Sequence, residues 1–340
     1  MTMAPLQALK TKLGDTKDAL FDWFAGSGML GKAVAGGLAA VVVVFFGVFI
    51  YQYRIDDDRD LKPAPEHVMA GGSQAVAMAA TLMDLEIRHW APNKPWFYPI
   101  AHSTNMVAYQ KGIQYAVAQW ATQMTDFLGR ERGSGEADPN LVAAKGLLNY
   151  DPTAFILPSA VSQYREGIRN LDEYNRRLAR GQAKYDKIAS SLSDFLVKIS
   201  KDMGSQSGTI ELTVLSPDDF TEAEKQRLTD NQRRVLSSNS GYFDGRATKV
   251  FFATKGRMYA YYLILEGLGE DYGEVIAAKG AEEHWRNMLV SLRSGASFYK
   301  FFVANGAGGS YFTPSDLAYQ GFFLLRFDKQ LQELADILNR

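Results

Sequence analysis

The sequence predicts an all-α protein in two parts: one N-terminal transmembrane helix, followed by a large multi-helix soluble bundle. Three observations predict it. Residues 33–51, AVAGGLAAVVVVFFGVFIY, form an uninterrupted run without charge. Beyond Ala70, apolar residues recur every three or four positions through nearly all of the chain, the period of a helix with one buried face. Pro and Gly punctuate the gaps between those periodic segments, where chain reversals are expected.

The apolar run reaches about 28 Å as a helix at about 1.5 Å per residue, close to a hydrocarbon core of about 30 Å. It ends in Phe49-Ile50-Tyr51-Gln52-Tyr53-Arg54, too bulky for the small-residue site of a cleaved signal peptide. It has no polar face at a helical period, so it does not read as an amphipathic core helix. Tyr51 and Tyr53 suit one headgroup boundary, and Trp23 and Phe24 the other. Ala35, Gly36, Ala39 and Ala40 have the small-residue spacing that permits packing against another span. Lys10, Lys12, Lys17 and Lys32 precede the run, against Arg54, Arg59 and Lys62 after it. The positive-inside rule therefore places the N-terminus in the cytoplasm and the large C-terminal part outside.

The domain plan follows. Residues 1–32 are a cytoplasmic segment in which Leu6, Leu9, Leu13, Leu20 and Phe24 share one helical face, so either an interfacial amphipathic helix or a frayed tail is expected. Residues 33–51 are the anchor. Residues 52–69, with Asp56-Asp57-Asp58, Pro63 and Pro65, read as a charged linker, and residues 70–340 as the helical domain.

Within that domain, Gly71-Gly72-Ser73 precedes a helix carrying Val76, Ala80, Met83 and Ile87 on one stripe. Pro92, Pro95 and Pro99 force an extended connection bearing Trp96, Phe97 and Tyr98. Met106, Tyr109, Ile113, Val117, Trp120 and Met124 mark the next helix, with Ser103 or Thr104 as its cap and Gly129 as its stop. Residues 130–137 read as an exposed loop, and Asp138-Pro139 as a capped start. From Ser159, apolar positions recur as far as Met203 in one long seam-like helix, with Gly181 as a point of breakage. Gly204 to Gly208 reads as a gap and Thr209 to Leu215 as a short strand or extended connector. Ser216-Pro217-Asp218-Asp219 and Thr313-Pro314-Ser315-Asp316 are helix starts, with helices at 250–268 and 276–292 between them. Eight to ten helices are expected. The long helices from Ser159 and Thr313 each follow an irregular loop, which leaves a duplicated helical unit open.

Composition narrows the chemistry. The chain has 37 Lys+Arg and 38 Asp+Glu, and this neutral balance gives no electrostatic reason to bind nucleic acid. It has no cysteine, which excludes thiolate-ligated zinc, iron–sulfur clusters and thiol catalysis. The four histidines, His67, His89, His102 and His284, include no pair at i, i+4, so no helical metal pair and no cofactor site are expected. Asn305-Gly306-Ala307-Gly308-Gly309-Ser310 lacks the Lys-Ser/Thr of a phosphate loop. No G-x-S-x-G elbow occurs either.

Phe155-Ile156-Leu157-Pro158-Ser159, Gln163 to Ile168, Ala253-Thr254-Lys255-Gly256-Arg257 and Val303-Ala304-Asn305-Gly306 together resemble an uncharacterised bacterial inner-membrane protein family, domain of unknown function 2333. The resemblance spans most of the chain beyond the anchor. It implies a single-pass envelope protein and transfers no catalytic residue.

Candidate binding residues are Trp96, Tyr98, His102 and Asn105 around the proline-rich loop, Tyr164, Arg165 and Glu166 early in the long helix, and Asn305 in the glycine-rich turn. A polar cluster beside aromatic residues is a candidate cleft. For each there is a simpler reading as cap, core or solvated helix face. The expected function is a membrane-anchored, non-enzymatic scaffold or adaptor that binds an envelope partner or itself. A lipid or apolar-ligand binding domain and an envelope hydrolase using paired carboxylates remain the alternatives.

Overall fold

The computed structural model describes residues 28–52, 55–129, 136–215, 220–237, 245–298, 300, 303–305 and 315–340, without the side chains of 30, 48–52, 99, 102, 231 and 235. The expected amphipathic segment at 1–27 and the expected starts at 216–219 and 313–314 lie outside the described residues. The chain divides into two units, Met1–Arg54 and Ile55–Arg340.

The first unit contains α1, Met29–Gln52. Val34, Leu38, Val41, Val43 and Phe46 stand exposed along it. Among the described residues no helix is long and apolar enough to cross a membrane. The continuous stretch of described side chains in α1 covers 31–47, about 26 Å at about 1.5 Å per residue, short of a hydrocarbon core of about 30 Å. The expected span at 33–51 runs past them, and membrane crossing stands as a proposal.

The second unit is all-helical among the described residues: α2 (Gln74–Arg88), α3 (Thr104–Gln123), α4 (Pro139–Leu148), α5 (Ala160–Ala179), α6 (Ala189–Val214), α7 (Glu222–Arg227), α8 (Asp230–Ser237), α9 (Gly245–Asp271), α10 (Gly273–Ala278), α11 (Glu282–Ala296) and α12 (Asp316–Asn339). That is eleven helices where eight to ten were expected, the extra ones being short turns such as α7 and α10. Ser73, Ser103, Asp138, Ser159 and Ser315 each cap a helix by accepting a backbone N–H, which satisfies an amide the helix itself leaves unpaired.

The long segment from Ser159 is two helices. Gly181, at φ +70°, adopts a left-handed conformation that an L side chain resists, and it closes α5 with a bond from Gln182 N to Arg177 O of 2.8 Å. The strand or connector expected at 209–215 is the last part of α6, which runs unbroken through Gly204 and Gly208. Packing overrides local preference there: α6 lies along α12, and Gly321 of α12 leaves room for Ile210, whose methyl lies 3.3 Å from where a Cβ would be.

α9 is the axis of the unit. Phe251, Phe252, Met258, Tyr259, Tyr261, Tyr262, Leu263 and Leu265 point in several directions around it and are all buried. A helix apolar on all sides belongs in a core, and α9 is surrounded by α2, α3, α6, α11 and α12. Its tightest approach is to α3, where two glycines meet. A Cβ on Gly256 would lie 2.2 Å from Tyr109 O, and one on Gly112 2.2 Å from Ala253 O. At its far end, the half-buried Asp271 accepts from Gln74 N at 2.8 Å and Ala75 N at 3.2 Å. It thereby stabilises the positive N-terminus of α2 with a carboxylate.

Gly256→Ala is expected to destabilise the protein by about 2 kcal/mol or more in urea unfolding, because two backbones must separate. Gly146→Ala on α4, where a Cβ meets nothing within 4 Å, is expected to stabilise by about 0.5–1 kcal/mol. Equal effects at the two positions would remove the case for a glycine crossing.

Candidate functional site

The segment that leads into the second unit is where charge is handled most unusually. Asp56-Asp57-Asp58 reads as solvated linker, yet Ile55 to Lys62 lies against α3, α9 and α11. Tyr109 donates to Asp56 O at 3.1 Å, and Tyr259 to Asp58 O at 2.8 Å. Lys255 of α9 is 1% exposed and donates to Asp57 Oδ2 at 2.6 Å and to Phe298 O at 2.7 Å. Arg293 of α11 donates to Asp60 at 2.8 Å and to the Tyr262 hydroxyl at 3.0 Å. Residues 52–69 are therefore, from Ile55 onward, a strap fastened to the bundle.

The physical logic is compensation. Burial pushes the Lys255 ammonium down, and Asp57 opposes it by hydrogen bond and charge. A buried charge is tolerable only when paired and hydrogen-bonded. Beside the strap, burial pushes the Glu86 carboxyl up to about 7, with the Gln110 side chain opposing and Asp56 adding to the rise.

On the other side of the same α9 turn, Arg257 faces a cleft of about 310 Å³ lined by Lys111, Tyr115, Asn149, Tyr150 and Pro152 among others. The guanidinium stacks on the Tyr115 ring at 3.8 Å, a favourable cation–π geometry. Tyr115 donates to Asp202 Oδ1 at 2.6 Å and Tyr261 to Asp202 Oδ2 at 2.9 Å. Burial, then the Asp202 bond and charge, push the Tyr115 hydroxyl up to about 12, against Arg257. A phenol so placed is a donor and a poor base at neutral pH. Burial also lowers Lys111.

A third cluster joins the strap to α2 and α5. Glu66, His67 and Asp84 offer ligand atoms within 4.8 Å of one another. His67 is buried, its Nδ1 is 2.8 Å from Asp172, and its Nε2 has no partner. Burial lowers its pKa, but Asp172, Asp84 and Glu66 outweigh burial and raise it overall. Arg88 bonds Asp84 and lies 3.8 Å from Glu66. The neighbouring Arg88 guanidinium meets both carboxylates and Asp172 meets the imidazole, so the group reads as an ion-pair cluster.

The expected binding residues separate on the structure. Trp96 and Tyr98 are exposed on the loop before a 3-10 turn at Pro99–His102. The His102 side chain lies outside the described residues. Asn105 is buried on the first turn of α3. Tyr164 is buried against Trp90 at 5.3 Å and donates to Tyr150 O at 2.8 Å, a core role. Arg165 is exposed, and Glu166 pairs with Arg169 on the helix surface. Asn305 is buried, donates to Thr213 O at 2.9 Å and pairs by backbone with Ser315. Lys255, Asp57, Arg257, Tyr115 and Asp202 were outside that expectation. The one signal in the sequence was the Ala253–Arg257 segment, where a Lys and an Arg flank a Gly inside an otherwise apolar helix.

Residues 75–340 match the family described as uncharacterized protein conserved in bacteria, domain of unknown function 2333, and the chain belongs to it. No curated protein and no solved structure matches the chain.

Asp57→Asn is expected to cost about 3 kcal/mol in urea unfolding, because Lys255 keeps a buried charge without its counter-ion. Asp57→Asn combined with Lys255→Met should recover part of that loss, and no recovery would show that the pair is not coupled. For Glu86, whose native pKa rises from 4.5 to about 7, the associated stability is present below pH 4.5 and is lost as pH rises through 7. Glu86→Gln should therefore gain on the unsubstituted protein across that window, levelling at about 3 kcal/mol above it. A difference that does not vary with pH would overturn the assignment.

Proposed function

We propose that the chain is a single-pass protein of the bacterial inner membrane, with its N-terminus in the cytoplasm and its helical domain in the periplasm. In this reading it acts as a non-enzymatic scaffold or adaptor. From Ala33 to Gln52 the sequence has no Asp, Glu, Lys or Arg, a stretch of about 30 Å as a helix at about 1.5 Å per residue.

The observation that carries the scaffold reading is the strap. From Asp56, four residues beyond the end of α1 at Gln52, the chain is bonded to α3, α9 and α11 through Asp56, Asp57, Asp58 and Asp60. A flexible tether would let a domain wander, whereas from Asp56 onward the chain is fastened to its own bundle. A strap of that kind suits a protein whose task is to hold a partner beside a membrane. Tyr319, Phe322 and Leu325 stand exposed at three-residue spacing on α12, an apolar stripe of the kind partner proteins cover. In the cleft Arg257 stacks on the Tyr115 ring and Asp202 is taken up by the hydroxyls of Tyr115 and Tyr261, and the close carboxylates Glu66 and Asp84 share Arg88, which disfavours the hydrolase alternative.

Because the chain has no cysteine, Glu283→Cys on the exposed face of α11 is a clean reporter. It is expected to react with a membrane-impermeant maleimide in intact spheroplasts. Reaction only after the membrane is opened would reverse the orientation. A photocrosslinker at Phe322 is expected to give one recurrent adduct in living cells, and its absence in every growth condition would sink the scaffold reading.

A further inference from the structure

Two loops at one end of the second unit carry six consecutive-in-threes apolar side chains in the open. Trp96, Phe97 and Tyr98 follow α2, with Trp96 80% exposed. Phe155, Ile156 and Leu157 follow α4, with Ile156 81% and Leu157 90% exposed. Single exposed apolar residues are ordinary on a protein surface. Two triads on neighbouring loops are a patch, and a patch marks something that covers it.

The loops are tied to each other and to the core behind them. Asn93 Nδ2 donates to Ala154 O at 3.1 Å, and Trp90 Nε1 donates to Pro152 O at 3.0 Å. Pro92, Pro95 and Pro99 punctuate the first loop, and Pro152 and Pro158 the second, which restricts the backbone on both sides of each triad. The exposed side chains are thus held out by ordered supports.

The position of the patch selects its occupant. Ile55, the first residue of the unit, packs on a small cluster of Ala91, Ile100 and Met106, and Ala91 and Ile100 bracket the Trp96 loop. Only Tyr53 and Arg54 separate Ile55 from the end of α1. The chain therefore enters the domain beside the patch. The residue types agree: Trp and Tyr favour the headgroup boundary, and Phe, Ile and Leu the acyl side of it. Lys94 stands at the edge of the first triad, its ammonium 5.6 Å from the Tyr98 ring centre, where a cation meets headgroup phosphates.

We propose that the loops at 95–98 and 155–157 insert into the interfacial layer of the phospholipid bilayer that holds α1, so that the domain rests on the membrane surface at two further points. This rests on the anchor reading.

The test uses the full chain in vesicles of phosphatidylethanolamine and phosphatidylglycerol, with one cysteine at a time carrying an environment-sensitive fluorophore. Phe97→Cys and Ile156→Cys report the loops, Val43→Cys reports α1, and Val290→Cys, exposed on α11, is the aqueous control. The expected result is blue-shifted emission at 97, 156 and 43. Nitroxide lipids labelled shallowly in the acyl chain should remove most of the emission at 97 and 156, and none at 290. Lipid quenching at 43 with water-like emission at 97 and 156 overturns the proposal and leaves the anchor standing. Quenching at 97 and 156 without quenching at 43 supports loop insertion and overturns the anchor. A blue shift at 97 and 156 that grows with protein density and ignores the nitroxide lipids assigns the patch to a second copy and overturns the proposal. In the Ile156→Asp, Leu157→Asp background, a label at Phe155→Cys should lose its blue shift. Both substituted residues are exposed, so the fold has no reason to fail, and a retained shift also overturns the proposal.

Discussion

The close crossing of α3 and α9 decides where the rest of the chemistry falls. Gly112 and Gly256 let two helix backbones approach until a carbonyl of each occupies the place of the other's missing Cβ. That contact sets the rotation of α9. Successive residues on a helix point about 100° apart, so fixing Gly256 toward α3 sends Lys255 to one side and Arg257 to the other. Lys255 meets the incoming strap at Asp57, and Arg257 meets Tyr115 and the cleft. The strap and the cleft are two outcomes of one packing constraint. Thr254, a step earlier on the same turn, accepts from Gln206 Nε2 of α6 at 2.7 Å, so three neighbouring layers are indexed by four consecutive residues.

The polar groups that this crossing buries bear on specificity more than on net stability. A buried ion pair returns little once desolvation is counted, while an unpaired partner is costly. Lys255 therefore penalises every arrangement in which residues 55–60 are not laid across α3 and α9. Tyr109 and Tyr259 work in the same direction, since each buried hydroxyl finds its acceptor on the strap backbone. A hydroxyl left without that carbonyl would carry its own desolvation penalty.

This explains which parts of the molecule were legible in the sequence. Helix positions were, because core faces repeat at 3.6 residues and Ser73, Ser103, Asp138 and Ser159 stand where caps are needed. The end of α6 was not: Gly204, Gly208 and Thr209 disfavour a helix locally, and the surface of α12 that overrides them is more than a hundred residues away. The strap was not either. Three consecutive aspartates resemble solvated linker, and nothing local announces that Lys255, 198 residues on, lies in the core waiting for one of them. Tyr164, singled out as a binding residue, lies buried with its hydroxyl on a carbonyl, Tyr150 O, a partner that the sequence around it does not indicate. Trp96 and Tyr98 were singled out for a cleft, and the structure holds them outward on a loop.

That outward loop and the strap belong to one argument about attachment. A domain joined to a membrane helix by an ordinary linker samples a volume set by linker length, and its surface meets the bilayer only in passing. On the proposed anchor, the short sequence distance from α1 to Ile55 would raise the effective concentration of the bilayer at any nearby patch, as tethering does for a second binding event. In the proposed arrangement, loops with modest intrinsic affinity for lipid would remain engaged, because they need not recover the cost of bringing two bodies together. Weak apolar contacts then suffice, and a large hydrophobic face, with its risk of aggregation in the unattached state, is unnecessary. Six side chains on two short loops are the size of patch that such an arrangement calls for.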